Sequence, residues 1–345
     1  MAVIDFHNHY YPPEYLDALR SGSSAVKVTT DSEGNPSLHY PGDYNTVVPG
    51  HRDIAHRERV LDQHGVDLQV PYPDHTRHAR RRARDGGAPC KAGERCIRSR
   101  HRESTRSLRC SRHTSYERPS HLARRVRICH SSAPSAGRDA VQQRQWFALA
   151  DERFWPLYEA ANDQSSALYI HPTNPAHVEA MTEYWLTPLT GFLFDTTLAA
   201  AHLVFSGVVE RFPRIRWALC HLGGTIPYLV ERLDRGFHAF PECRAHISKP
   251  PSEYLKNFYY DTVNFNPRAI ELAIAFAGSD HILAGSDYPH HIGSIPKMFE
   301  SIRALKIPDC EKTAMWAATQ PGCWACRLLD ILKKWCDVVC FGRYS

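Results

Sequence analysis

Asp5-Phe6-His7-Asn8-His9, led in by Ala2-Val3-Ile4, is the stretch on which the reading of the fold turns. The apolar, β-branched lead-in reads as a buried strand. Strand side chains alternate between faces, so His7 and His9 project the same way from its far end. Two neutral imidazoles placed like this can share one divalent cation. Alone, the H-x-H spacing decides little, because 21 histidines fall into such spacings by chance. Further ligands must come from the ends of other strands.

Working outward, His51–Gln63 has helical spacing and is capped by Gly65, after which Val66–Val70 starts a second strand. Ala167–Ile170 is a strand that ends in His171-Pro172, and Arg216–Cys220 is one that ends in His221 with Gly223-Gly224 behind it. Phe258–Val263 is another, and His281–Ala284 runs into Gly285-Ser286-Asp287. The spacing between them predicts helices over Glu14–Arg20, Phe154–Asn162, Pro227–Phe237, Pro267–Ala277 and Ile295–Leu305. Leu189–Phe212 reads as one long apolar helix closed by Pro213, packed deep or at a subunit contact, which makes a homodimer an expectation. Residues 21–50, with their Gly, Ser, Pro and Asn, read as a long loop.

A chain of 345 residues with 43% hydrophobic and 23% charged residues has the composition of an ordinary soluble globular protein, long enough for one large α/β domain or two small ones. No unbroken apolar run approaches the roughly 18 residues of a membrane span, and no basic-then-apolar leader opens the chain. A cytoplasmic address, with no membrane partner, is the resulting expectation.

The net charge of +5 conceals two unlike kinds of sequence. Residues 71–146 hold 18 Arg, one Lys and six Asp or Glu, and neither helical nor strand periodicity persists there. Three readings fit: a basic insert that binds nucleic acid, an inert insertion, or translation out of frame. The third draws support from the codon table. Gly137–Trp146 can be encoded so that the reading one nucleotide on is GVMLFSNVN, an apolar strand and a turn. Pro71–Arg98 and the stretch from Ser111 treated the same way give a strand, loop and helix, and then a strand, turn and helix. The tail 317–345 reads as a second out-of-frame segment, in which Cys323 and Cys326 imitate a C-x-x-C site without the second pair a zinc ribbon needs.

Six strands are visible, and the shifted reading adds two, near Ser111 and Gly137. Eight strands alternating with helices predict an α/β fold, a (β/α)8 TIM barrel forming one domain over residues 1–345 and damaged in the 71–146 region. His7, His9, His171, His221 and Asp287 then all fall at C-terminal strand ends, where a barrel exposes catalytic groups. A single buried histidine is ordinarily a packed one; five such groups on four strand ends are not.

Ile4–His9 (IDFHNH), Gly65–Val70 (GVDLQV), Tyr169–Pro172 (YIHP), Cys220–Gly224 (CHLGG), Pro250–Tyr254 (PPSEY) and Leu283–Pro289 (LAGSDYP) together resemble the metal-dependent amidohydrolase superfamily. Within it they resemble the aminocarboxymuconate semialdehyde decarboxylase-like family of non-oxidative decarboxylases. The resemblance covers residues 1–70 and 148–316 directly. It implies that His7, His9, His171 and Asp287 ligate one divalent metal, zinc or alternatively manganese. It places His221 beside that metal as a general acid or base titrating near neutrality, with Asp287 as the other candidate to deliver a proton. No lysine of the kind that bridges two metals elsewhere in the superfamily stands on the fourth strand. His177, Trp185 and His290 are further candidates for the pocket wall, each equally readable as surface or packing.

The implied activity is decarboxylation of a small carboxylated aromatic or enol-type acid. The alternatives are hydrolysis of a lactone or amide by the same superfamily chemistry, an Arg-rich nucleic-acid-binding protein, and an inactive frameshifted product. One departure narrows the substrate. The semialdehyde decarboxylases proper carry a substrate-binding arginine in the loop before the GVD strand, where this chain has Asn45, with Arg52 and Arg57 out of register. That semialdehyde is therefore not the expected substrate. Sequencing the coding DNA across codons 65–150 and 310–345 tests the frame: compensating nucleotide shifts are expected, and one uninterrupted frame across related genes would overturn that reading.

Overall fold

The computed structural model describes residues 3–20, 26–40, 43–73, 97–98, 149–172, 175–316 and 340–341. Its centre is a set of parallel strands: β1 (Ile4–Tyr10), β5 (Leu68–Pro73), β7 (Ala167–Ile170), β8 (Arg216–Leu219), β9 (Tyr259–Asp261) and β10 (Ile282–Leu283). β1 pairs with β5, and β10, β9, β8 and β7 follow one another, all in parallel. The chain leaving β10 closes onto β1, through Phe6 N–H donating to Ala284 O at 2.8 Å, His9 N–H to Tyr288 O at 2.8 Å and a parallel bridge between Asn8 and Tyr288. The order β5-β1-β10-β9-β8-β7 is that of a TIM barrel.

Apolar strand residues divide between two cores. Ile4, Phe6, Leu68, Val70, Tyr169, Ala218, Cys220 and Leu283 fill the barrel interior. Leu168, Ile170, Trp217 and Leu219, on the opposite faces of β7 and β8, pack against the surrounding helices. This in-and-out division is the two-residue period of a strand buried on both sides.

The described residues contain six of the eight expected barrel strands. The two expected near Ser111 and Gly137, the tail read as out of frame up to residue 339, and Cys323 and Cys326 lie outside them. On the open edges stand two short strands of the chain as printed: β6 (Ile97–Arg98), antiparallel to β5, and β11 (Cys340–Phe341), parallel to β7.

Three expectations about local structure need correction. The long loop over 21–50 contains an antiparallel sheet of β2 (Lys27–Thr30), β3 (Pro36–Tyr40) and β4 (Asp43–Thr46). Its first turn is built by Asp31, whose Oδ1 accepts from Glu33 N at 2.9 Å and Asn35 N at 2.7 Å, so the polar residues that looked like loop are turn chemistry. The helix over His51–Gln63 is two, Pro49–Arg52 and Ile54–His64, because Asp53 is extended and caps the second by accepting from His56 N; Gly65 ends it in the left-handed region as expected.

The long helix Leu189–Phe212 is also broken. A π-turn Thr187–Gly191 leads into the helix Phe192–Phe205, and Val208–Arg211 is a separate turn. Gly207 makes the break, with φ of +80° and no room for a side chain: a Cβ there would lie 2.5 Å from His246 O. By length and composition Thr187–Phe205 could cross a bilayer, although polar residues interrupt its apolar run. Here Thr196, Ala199, Ala200, Leu203 and Val204 are buried against the barrel, while Phe194 and Leu198 face outward. Replacing Gly207 with Ala should lower unfolding free energy by about 1–3 kcal/mol. Urea denaturation measures it, and an unchanged midpoint would contradict the assigned break.

Candidate metal centre

His7, His9, His171, His221 and Asp287 converge at the C-terminal mouth of the barrel, and all five are buried. Two overlapping groups have ligand atoms close enough to grip one ion: His7, His9 and Asp287, and His7, His171 and His221. In the first, His7 Nε2 lies 3.1 Å from His9 Nε2 and 3.4 Å from Asp287 Oδ1, and His9 Nε2 lies 3.1 Å from the same oxygen. In the second, the ring centres of His7, His171 and His221 are 5.1 to 5.2 Å apart. The four ligands expected from the sequence are thus neighbours, and His7 belongs to both groups.

Hydrogen bonds fix the tautomer of two of the rings. His7 Nδ1 lies 2.6 Å from Asp261 Oδ2, so that nitrogen carries the proton and Nε2 offers its lone pair to the centre. His171 Nδ1 donates to Pro172 O at 2.7 Å, which likewise leaves Nε2 as the ligating atom. His221 Nδ1 is buried and has no hydrogen-bond partner. Imidazole nitrogens and a carboxylate oxygen this close together offer one divalent cation several donor atoms at once. The donor set, imidazole nitrogens and one carboxylate, fits a divalent transition metal.

Asp261, at the end of β9, was missed in the sequence although it obeys the same strand-end rule as the others. Its Oδ2 accepts from His7 and from the Tyr169 hydroxyl, and its Oδ1 accepts from Leu222 N at 3.1 Å and Val263 N at 2.9 Å. Burial works against its charge, but His7 and these hydrogen bonds outweigh burial and hold it below the usual carboxylate range. Burial likewise opposes protonation of His7, and the Asp261 charge and hydrogen bond, with Asp287 and Asp5, carry its pKa upward.

The backbone is shaped around the same point. His221 and Leu222 have φ of +50° and +56°, and Asp287 has +56°, conformations costly for residues with side chains. Ser286 and Asp287 N–H both donate to His7 O, at 3.1 and 2.8 Å. Gly285 lets the two strands meet, since a Cβ there would sit 2.7 Å from that of His7.

His221 does not titrate near neutrality. Burial, and then the nearby His7 charge, push it down to about 4, so it is a neutral imidazole at pH 7. Asp287 is buried too, but the His9 hydrogen bond and the charges of His7, His290 and His9 lower its pKa and keep it a carboxylate. Of the further pocket candidates, the His290 ring centre lies 4.3 Å from that of His9 in a tilted contact, Trp185 lies 4.6 Å from Tyr44 and is exposed, and His177 is a surface residue 3.4 Å from Glu179. Asn45 Nδ2 donates to the Tyr11 hydroxyl at 2.6 Å, Arg52 bonds Val47 O and Asn35 Oδ1, and Arg57 is fully buried.

The amidohydrolase family profile (Amidohydro_2) matches residues 125–315, more than half of the chain. The chain belongs to the amidohydrolase family. The match begins inside the Arg-rich stretch, at a point outside the described residues. Among curated relatives, 2-amino-3-carboxymuconate-6-semialdehyde decarboxylase of Dictyostelium discoideum is 30% identical over 158 residues, 45% of this chain and 44% of that protein. The 6-methylsalicylic acid decarboxylase of Penicillium expansum is 29% identical over 164 residues, 47% of this chain and 50% of that protein. The match therefore spans about half the length of these relatives. Among solved structures, a dihydroxybenzoic acid decarboxylase from a Polaromonas species, with bound manganese and the inhibitor 2-nitroresorcinol, superposes with a TM-score of 0.61 at 19% identity over 96% of this chain and 97% of that one. That likeness supports the barrel fold.

Changing Asp261 to Asn should keep the side-chain volume but loosen the His7 ring, weakening metal binding about 10- to 100-fold. Calorimetric titration with manganese checks it; unchanged affinity would remove Asp261 from the site.

Proposed function

We propose that this protein is a metal-dependent, non-oxidative decarboxylase of a small hydroxylated aromatic acid. The observation that carries the proposal is the convergence of four imidazoles and one carboxylate on a buried point at the barrel mouth. The names of the curated relatives support the same reaction class. His7, His9, His171 and Asp287 are the proposed ligands. Their nitrogen-rich set favours zinc, with manganese as the alternative. A bound divalent cation supplies positive charge for the anionic oxygens of the substrate.

The chain's own groups handle the proton. In the reaction the bond to the carboxylate carbon breaks, carbon dioxide leaves, and the ring carbon keeps the electron pair and takes up a proton. At neutral pH His221 is unprotonated, so it acts first as a base, accepting a proton from a substrate hydroxyl, and then as an acid returning it to carbon. Asp287, held ionised, contributes charge and orientation, not the stored proton. Phe192, 6.3 Å from both His171 and His221, walls that side with an apolar ring. With Asn45 bonded to Tyr11 and Arg57 fully buried, the arginine contact of the semialdehyde decarboxylases is not reproduced among the described residues, which favours a salicylate-like acid over that semialdehyde.

The test is carbon dioxide release from a panel of hydroxybenzoates, with lactones assayed in parallel for hydrolysis. Chelator-treated protein should be inactive and recover with zinc or manganese. His221→Ala should retain metal and lose about 10²–10⁴ in turnover. Lactone hydrolysis without carbon dioxide release would replace the proposal with a hydrolase, and an undiminished His221→Ala rate would remove His221 from the scheme.

A further inference from the structure

Beneath the metal centre, and outside the reaction scheme, lies one fully buried guanidinium. Arg57, on the helix Ile54–His64, has its side chain inside the protein and makes hydrogen bonds to four residues. Nη1 donates to the backbone carbonyls of His9 and Gly50, the latter at 2.8 Å. Nη2 donates to Asn8 Oδ1 at 2.7 Å and to Gln69 Oε1 at 2.6 Å, and Nε donates to Gln69 Oε1 at 3.1 Å. Its Cζ lies over the Tyr288 ring, 5.0 Å from the ring centre, and Tyr288 is next in sequence to Asp287.

The contacts continue beyond Arg57. Gln69 Nε2 donates to Asp5 Oδ2 at 2.7 Å, and the Asp5 carboxylate also accepts from Ser286 Oγ at 2.6 Å and Ser286 N at 3.0 Å. One cation therefore touches the strand carrying His9, its neighbour β5, the helix Pro49–Arg52 and the segment carrying Asp287. A surface arginine does none of this, and burying a guanidinium is costly unless each donor is used.

We propose that Arg57 is a positioning residue for the metal centre, setting the approach of His9 to Asp287 by holding the carbonyl of one and the neighbouring ring of the other. A planar fork suits the task because two bonded edges fix a direction, whereas an ammonium fixes only a point. The proposal rests on the metal-centre reading above.

The experiment is a manganese titration by calorimetry on the full chain freed of metal, for wild type, Arg57→Lys and Gln69→Leu, with thermal melts of each and the visible spectrum of each after cobalt loading. Arg57→Lys is expected to fold, to bind manganese about 10- to 100-fold more weakly, and to shift the cobalt spectrum as His9 changes its approach. A lowered melting temperature with affinity and spectrum unchanged would make Arg57 an ordinary structural residue and overturn the proposal. If Arg57→Lys does not fold, Gln69→Leu decides. It leaves the carbonyl contacts but releases one edge of the fork, so about a tenfold loss of affinity supports positioning and an unchanged affinity and spectrum overturn it. Wild type that binds no manganese or cobalt would refute the metal centre itself, an outcome distinct from either.

Discussion

A carboxylate buried away from water must be charged among donors or not charged at all, and Asp261 is the group on which that constraint falls hardest. It resolves the conflict by accepting four hydrogen bonds, from a histidine of β1, a tyrosine of β7 and two backbone amides, one of them in the turn that presents His221. Through these bonds one side chain fixes the tautomer of His7 and the start of the His221 turn. Asp5 is a useful contrast. It also accepts four hydrogen bonds, yet burial outweighs them and its pKa rises.

The barrel supplies the remaining geometry. Parallel strands bring their C-terminal ends to one rim, so residues 7, 171, 221 and 287 become neighbours although the chain separates them widely. Left-handed backbone at His221 and Asp287 is tolerated because surrounding hydrogen bonds determine it, including those from Ser286 and Asp287 to the His7 carbonyl. Possible ligand atoms then come within reach of a single ion.

Much of this was legible in the sequence, for an identifiable reason. Apolar runs that end abruptly in His or Asp mark both the strand and its functional end, so β7, β8 and β10 and their histidines or aspartate could be read together. Asp261 obeys the same rule but has no glycine or proline behind it to make the strand end visible. The β2–β4 sheet was hidden because a turn-rich composition describes a tight hairpin and a loop equally well. Gly207 sits inside an apolar stretch where helix propensity argues for continuity, and only the close approach of His246 shows why the chain breaks there. The low pKa of His221 could not be read at all, since it depends on burial and on His7.

The central claim is that one cation sits among His7, His9, His171 and Asp287, and anomalous scattering from crystals grown with manganese tests it most directly. One strong peak is predicted, within about 2.0–2.3 Å of three imidazole nitrogens and a carboxylate oxygen. No peak at the barrel mouth, or a peak held by residues other than these, would contradict it.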